Sequence, residues 1–312
     1  MSHARPPLPE PLPAPVTDAH THLESTTVKG GLRADEAVPL AAAVNVTRLV
    51  DVGCDVASSR EAIVNAENHP GVIATVALHP NDAARAGTLQ DGPNGVTGRR
   101  ASLADQLAHI EALVTASDRV RAVGETGHDF FRTKDPDAQA RQRVSFAAHI
   151  ALAKAYGKAL VIHDRDAHDD ILDVLDAEGW PDRVQFHCFS GDAAFARRCL
   201  AHDAFLSFPG TITYKGNDEL REALRVTPAD RLLVETDAPY LTPVPYRGRS
   251  NSSFLVPVTV RAMADMRGDD LGSLCIALDA NATALFGDWG GPALRQAQGA
   301  GPEAQGSELN HG

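Results

Sequence analysis

The sequence predicts an α/β fold, a (β/α)8 TIM barrel in one domain, on three observations. Short apolar runs rich in Val, Ile and Leu alternate with Ala-rich amphipathic stretches along most of the chain. The runs are almost unbroken in apolar residues, as strands buried on both faces of a parallel sheet must be. Eight such strand–helix units follow one another, the number that closes a barrel. The rival, an open doubly wound sheet, lacks its usual G-x-G-x-x-G after a strand.

Taken in order, residues 1–14 form a Pro-rich lead-in, expected to be disordered because proline supports neither a helix interior nor a sheet ladder. The lead-in has no apolar core of a signal peptide. Strands are expected at 16–22, 46–53, 72–78, 120–125, 160–163, 184–187, 205–208 and 232–235, where apolar residues run together. Helices are expected between them at 35–43, 58–68, 103–116, 138–156, 167–178, 193–200 and 218–226, and after the last strand at 257–266 and 271–286. Residues 86–100, rich in Gly and polar side chains, read as a surface insertion on the face where barrel active sites lie. The barrel domain is then 15–286. Residues 287–312 read as a disordered tail, which makes His311 a tail residue and not a ligand.

With 312 residues and 43% hydrophobic composition, the chain can bury one large core. Its net charge of -12, from 41 acidic and 29 basic residues, argues against a protein that coats duplex nucleic acid with a basic surface. An enzyme that grips a few phosphates through bound metal stays open. Cys54, Cys188, Cys199 and Cys275 form no C-x-x-C pair, so a reduced, cytoplasmic setting is expected. No apolar run reaches about 18 residues, so no membrane span is expected.

The chemistry gathers at strand ends. The first strand closes on Asp18-Ala19-His20-Thr21-His22, and strand alternation turns His20 and His22 to one face. Imidazole is the commonest nitrogen ligand for divalent metals. The fourth strand ends on Glu125, the fifth on His163, the sixth on His187 and the eighth on Glu235-Thr236-Asp237. Each metal-capable residue thus closes its own strand at the end where barrel chemistry sits. The set exceeds what one tetrahedral ion takes, so two ions sharing a carboxylate fit better, with Glu125 as the bridge. Cys188 neighbours His187 and by parity points away, as packing. Glu235 shares a face with Asp237 and is placed to orient ligands or water.

The segments Asp18-Ala19-His20-Thr21-His22, Gly124-Glu125-Thr126-Gly127-His128-Asp129-Phe130-Phe131, Ile162-His163-Asp164-Arg165, Phe186-His187-Cys188-Phe189-Ser190-Gly191 and Glu235-Thr236-Asp237-Ala238-Pro239-Tyr240-Leu241 resemble the TatD family of metal-dependent hydrolases. The resemblance runs from about Val16 to Phe286. It implies a barrel with a dinuclear site and metal-dependent deoxyribonuclease activity, often exonucleolytic on single strands. By position, one metal takes His20, His22, Glu125 and Asp237, and the other takes Glu125, His163 and His187. His79, in Leu78-His79-Pro80, matches a family histidine near the substrate. Two departures stand out. His128 occupies a position where the family has no histidine and is read as a rim residue. Ser252-Ser253 replace the family's Glu-Pro, although Arg247 and Asn251 match.

The expected reaction is phosphodiester hydrolysis by a metal-bridging hydroxide, with Asp237 accepting the proton and Glu235 assisting. His79, Arg165, Arg247 and Asn251, with Arg249, are expected to hold a DNA substrate, most readily single-stranded. The cofactor is expected to be two divalent ions, Mg, Mn or Zn. The alternative is an ester hydrolase on the same barrel, such as a D-aminoacyl-tRNA deacylase or a lactonase. Relatives of that kind often bridge their metals with a carboxylated Lys, whereas this chain has Glu125 there.

Overall fold

The computed structural model describes residues 5–92 and 95–289. Its centre is an eight-stranded parallel sheet in the order β1 (Val16–Thr21), β2 (Val46–Val52), β3 (Val72–Val76), β6 (Val120–Asp129), β7 (Ala159–Arg165), β8 (Val184–Phe186), β9 (Phe205–Phe208) and β10 (Leu232–Val234). A separate antiparallel pair, β4 (Leu89–Gly92) and β5 (Gly95–Arg99), projects from the loop after β3. The sheet closes on itself where β1 meets the chain just past β10. There His22 N–H donates to the Ala238 carbonyl and Asp237 N–H to the His20 carbonyl, both at 2.9 Å. The fully buried Asp18 strengthens this seam by accepting from the Thr236 N–H at 2.9 Å and its hydroxyl at 2.7 Å.

The barrel strands are Val-, Leu-, Ile- and Ala-rich, and β3, β8, β9 and β10 are buried along their whole length. That pattern follows from cover on both faces: helices outside, the filled cylinder inside. The outer layer is α2 (Ala34–Ala42), α3 (Val56–Asn68), α5 (Leu103–Val114), α6 (Pro136–Ala155), α7 (His168–Glu178), α8 (Ala193–Leu200), α9 (Asp218–Val226), α10 (Val256–Arg267) and α11 (Leu271–Phe286). Several begin where the sequence supplies a side-chain cap: Asp55 accepts from Ser58 N–H at 2.8 Å, Asp192 from Phe195 N–H at 2.8 Å and Asp270 from Ser273 N–H at 2.8 Å. Each such cap stabilises its helix by about 1 kcal/mol.

Each barrel strand overlaps its predicted run, and each of these nine helices its predicted stretch. Three elements were not expected. Helix α1 (Leu23–Gly30) buries only Leu23 and Thr26, so no apolar stripe announces it. Helix α4 (Pro80–Arg85) has six residues behind a proline, too few for a period to show. The β4–β5 pair lies in the stretch read as an insertion, and its Gly-rich composition hides it.

Two end segments differ from expectation. Residues 5–14 contain no helix or strand, but they are not loose: Leu12 is buried in the core, its N–H donates to the Val44 carbonyl at 3.2 Å, and its carbonyl accepts from Asn45 Nδ2 at 2.5 Å. A single apolar side chain suffices to pin the segment against the barrel. At the other end Trp289 is buried, with the Arg48 guanidinium 4.5 Å from its ring centre. The rest of the expected tail, His311 included, lies outside the described residues. Among the described residues no helix is long and apolar enough to cross a membrane.

Candidate metal centre

Glu125 sits at the middle of the barrel's C-terminal mouth, and its two oxygens face two different groups. Oε1 lies 2.6 Å from His163 Nδ1, 2.9 Å from His187 Nε2 and 3.3 Å from His79 Nε2. Oε2 lies 3.5 Å from His20 Nε2, 3.7 Å from His22 Nε2 and 3.8 Å from Cys54 Sγ. Asp237 Oδ1 completes the second group at 3.3 Å from His22 Nε2 and 3.8 Å from His20 Nε2. The six residues expected to be ligands, contributed by β1, β6, β7 and the chain just beyond β8 and β10, therefore do converge.

The aim of Glu125 comes from the glycines beside it. Gly124 has φ +152° and Gly127 φ +134°, backbone that side chains other than glycine rarely adopt. A Cβ at Gly124 would stand 2.5 Å from Val161 Cβ, and one at Gly127 2.1 Å from the His163 carbonyl oxygen. The pairing of β6 with β7 slips by one residue between Gly124 and Thr126, a bulge that swings Glu125 out of the ladder toward the mouth.

Outer partners back three of the four ligand rings, whereas His20 Nδ1 has no hydrogen-bond partner among the described residues. His22 Nδ1 lies 2.9 Å from the Val52 carbonyl, so Nδ1 donates and Nε2 keeps its lone pair for the centre. His187 Nδ1 faces Glu235 Oε1 at 3.3 Å, and His163 Nε2 faces Asp129 Oδ2 at 3.5 Å. In both rings an outer carboxylate backs the nitrogen that faces away from the centre, so each ring can hold its proton there and present its inner lone pair to a cation. His79 is wired the other way. Its Nδ1 accepts the Asn81 N–H at 3.0 Å, which leaves the proton on Nε2, so this ring is a donor toward Glu125 and not a ligand. The inner nitrogens of His20 and His22, and of His163 and His187, lie 3.3 and 3.4 Å apart. Imidazole nitrogens crowded this closely around a buried carboxylate are a donor set that suits divalent cations.

Electrostatics agree. Burial alone would push the Glu125 carboxyl up, but His187 and His79 beside it, with the bonds from His163 and His187, hold it well below the usual carboxylate range. Burial works against a charge on His187, yet Glu125 and Glu235 raise its pKa to about 10. Without a cation, the centre would have to take up protons to balance its carboxylates.

Glu235 is completely buried behind His187. Its Oε1 accepts the Cys188 N–H at 2.7 Å and its Oε2 accepts from Gln185 Nε2 at 3.4 Å. It supports His187 and does not open onto the mouth. Asp129 does the same for His163 and also accepts from Asn81 Nδ2 at 3.1 Å. Sequence reasoning ended the strand at Glu125 and passed over Asp129, although even spacing along the strand from Glu125 pointed to it.

The remaining residues singled out by the sequence are placed as follows. Asn251 is buried with every side-chain atom used internally: Nδ2 donates to the Thr236 and Tyr240 carbonyls at 2.9 and 2.7 Å, and Oδ1 accepts the Ser252 N–H at 3.0 Å. It ties down the loop after β10 and has no group left for substrate. His128 is not on the rim. It is fully buried on the outer side of β6, with Nδ1 2.7 Å from Asp170 and its ring stacked 5.3 Å from Phe130. Cys188 is half-buried, and its φ of +44° breaks the strand alternation on which the parity argument relied. Arg165 ends β7 and Arg247 lies in the loop after β10, each resting on an aromatic ring.

Comparison with known proteins places this architecture among relatives. A family model described as "TatD related DNase" matches residues 17–287. An uncharacterized metal-dependent hydrolase TatD of Mycobacterium tuberculosis is 43% identical over 275 residues, covering 87% of this chain and 98% of that protein. The 3'-5' ssDNA/RNA exonuclease TatD of Erwinia tasmaniensis is 32% identical over 262 residues, covering 81% of this chain and 93% of that one. Among solved structures, YjjV, a TatD homolog from Escherichia coli, superposes with a TM-score of 0.75 at 24% identity, covering 88% of this chain and 98% of that chain. The phosphotriesterase homology protein of Escherichia coli shares the barrel fold at a TM-score of 0.60 and 14% identity, covering 88% of this chain and 99% of that chain.

Proposed function

Since the chain belongs to the TatD-related DNase family and is a metal-dependent hydrolase, we propose that its reaction is hydrolysis of phosphodiester bonds in DNA, most readily as an exonuclease on single strands. The observation that carries this reading is Glu125 with one oxygen toward His163 and His187 and the other toward His20 and His22. We read these five residues and Asp237 as holding two divalent ions, Mg, Mn or Zn, and residues 15–286 as the hydrolase domain. When bound, such ions supply acidified water and neutralise charge on the phosphoryl oxygens.

The chain's own residues do the rest. Asp237 is the most open carboxylate of the cluster, with its side chain 16% exposed against 4% for Glu125 and 0% for Glu235. It is the group that can both meet an attacking water and release the accepted proton to solvent. Burial pushes its pKa up, but the His22 bond and the charges of His22, His20 and His187 hold it below the usual carboxylate value, so it stands as an anion. His79 Nε2–H points into the mouth and can donate to a phosphate oxygen or to the departing alkoxide. Glu235 and Asp129 keep His187 and His163 in the tautomer the centre needs.

The test is nucleotide release from single-stranded DNA by the purified chain with Mg2+, Mn2+ or Zn2+, with and without EDTA. Chelator-sensitive release is expected, and Asp237→Asn is expected to lower kcat even at saturating metal. No release with any of the three ions overturns the reading.

A further inference from the structure

We propose that Phe131 and Tyr240 are base-stacking platforms at the mouth of the barrel, on which bases of a single-stranded nucleic acid lie while neighbouring cations meet its phosphates. The proposal rests on the nuclease reading above and adds what grips the strand beyond the reacting phosphate. Phe131 follows the end of β6, and Tyr240 stands three residues past Asp237, its ring centre 6.4 Å from that of His22. Both are large and open, Phe131 53% and Tyr240 42% exposed, at a place where the fold gains nothing from exposing them.

Each also carries a cation. The Arg165 guanidinium lies 4.0 Å from the Phe131 ring centre and the Lys29 ammonium 4.3 Å from the Tyr240 ring centre. A third couple on the same rim is Arg247 over Tyr214 at 4.3 Å. None of these three cations has a carboxylate partner among the described residues, and Lys29 Nζ donates to the Tyr240 hydroxyl, at the edge of the ring, which leaves the ring face open. The contrast is with Arg48, Arg143 and Arg231, which also lie over rings but are each paired with an acid, at 2.6, 2.6 and 3.0 Å. A chain with 41 acidic residues against 29 basic ones thus leaves the cations of its mouth unneutralised. Positive charge interleaved with exposed rings is the combination that holds a single strand: phosphates take the charge, and every base offers a π-face to a ring or a stacked guanidinium.

The experiment measures binding of the full chain, as purified, to two fluorescein-labelled strands of equal length with phosphorothioate links that resist cleavage. One is oligothymidylate and the other carries no bases at any position. Wild-type protein is expected to bind the thymidylate strand about tenfold or more tightly than the abasic one. Phe131→Ala and Tyr240→Ala are each expected to weaken the thymidylate strand by about tenfold and leave the abasic strand where it was. Tyr240→Phe, which keeps the ring and loses only the hydroxyl bonded by Lys29, is expected to keep the wild-type preference for the thymidylate strand over the abasic one, and this variant also controls for folding. Equal affinity of wild type for the two strands overturns the proposal, as does a loss that is the same for both strands. Cleavage of an ordinary strand by the same preparation separates the two readings. Metal-dependent cleavage without base preference refutes stacking alone, whereas no cleavage and no binding of either strand refutes both.

Discussion

Acid should unfold this protein through a buried histidine of the helix layer, outside the ligand cluster. His149 lies on α6 with no exposure to solvent, and both ring nitrogens are committed. Nδ1–H donates to the Ser145 carbonyl at 2.6 Å, and Nε2 accepts the Leu78 N–H at 3.0 Å. A second proton would set Nε2–H against that N–H donor in a site without water. Burial accordingly lowers the pKa from 6.5 to about 4, against a small upward pull from the Ser145 bond. Below 6.5 the unfolded chain therefore binds this proton and the folded chain does not. Stability is complete above pH 6.5 and is lost as the pH falls toward 4. The gap between 6.5 and about 4, at about 1.4 kcal/mol per pH unit, comes to about 3 kcal/mol. Urea unfolding at pH 7.5, 6, 5 and 4 measures it, with His149→Gln as the reference, because a glutamine oxygen can still accept the Leu78 N–H but cannot titrate. Wild type should lose about 3 kcal/mol more than the variant over this range. Parallel loss in the two proteins refutes the reasoning. His128, also held down to about 4, titrates in both proteins and cancels in the comparison.

Three substitutions test the rest of the architecture. Asp129→Asn removes the charge behind His163 and can present an amide donor to Nε2, so metal affinity, read by titration against a chelating indicator, should fall about 10- to 100-fold while the thermal midpoint stays near wild type; unchanged affinity would show that the 3.5 Å contact does not orient the ring. Asn251→Ala strips two carbonyls and one N–H of their partner, and should lower stability by about 2–4 kcal/mol in urea; an unaltered midpoint with a raised KM would instead return Asn251 to the substrate-binding role first expected of it. Gly127→Ala places a Cβ 2.1 Å from the His163 carbonyl oxygen at φ +134°, so a loss of more than about 3 kcal/mol is expected, measured as soluble yield and thermal midpoint; a variant that folds as well as wild type would mean the bulge beside Glu125 is not fixed by glycine.

What the sequence revealed and what it concealed follow from where the information lies. A metal ligand is legible because its chemistry is in its identity and its position in an apolar run: His163 and His187 read as strand ends, and they are found at the mouth. The barrel order was legible for the same reason, since burial on both faces leaves strands such as 72–76 without a polar residue larger than Thr75. Parity failed wherever the backbone left the ideal strand. The bulge at Gly124 carries β6 on to Asp129, so the carboxylate behind His163 lay past the expected end, and the positive φ of Cys188 undid the inference that its thiol faces away. Residues whose role is set by partners were read least well. Asn251 matched a binding motif, but its side chain is consumed by Thr236, Tyr240 and Ser252, and nothing in the residue type separates a donor aimed at substrate from one aimed at its own loop. His79 shows the opposite case. Its type and place fit a ligand equally well, and only the Asn81 N–H on Nδ1 turns its other nitrogen into a donor. The proposed division between residues that hold a cation and a residue that meets the substrate therefore turns on second partners, such as the Asn81 N–H on His79, which residue types and spacing do not specify.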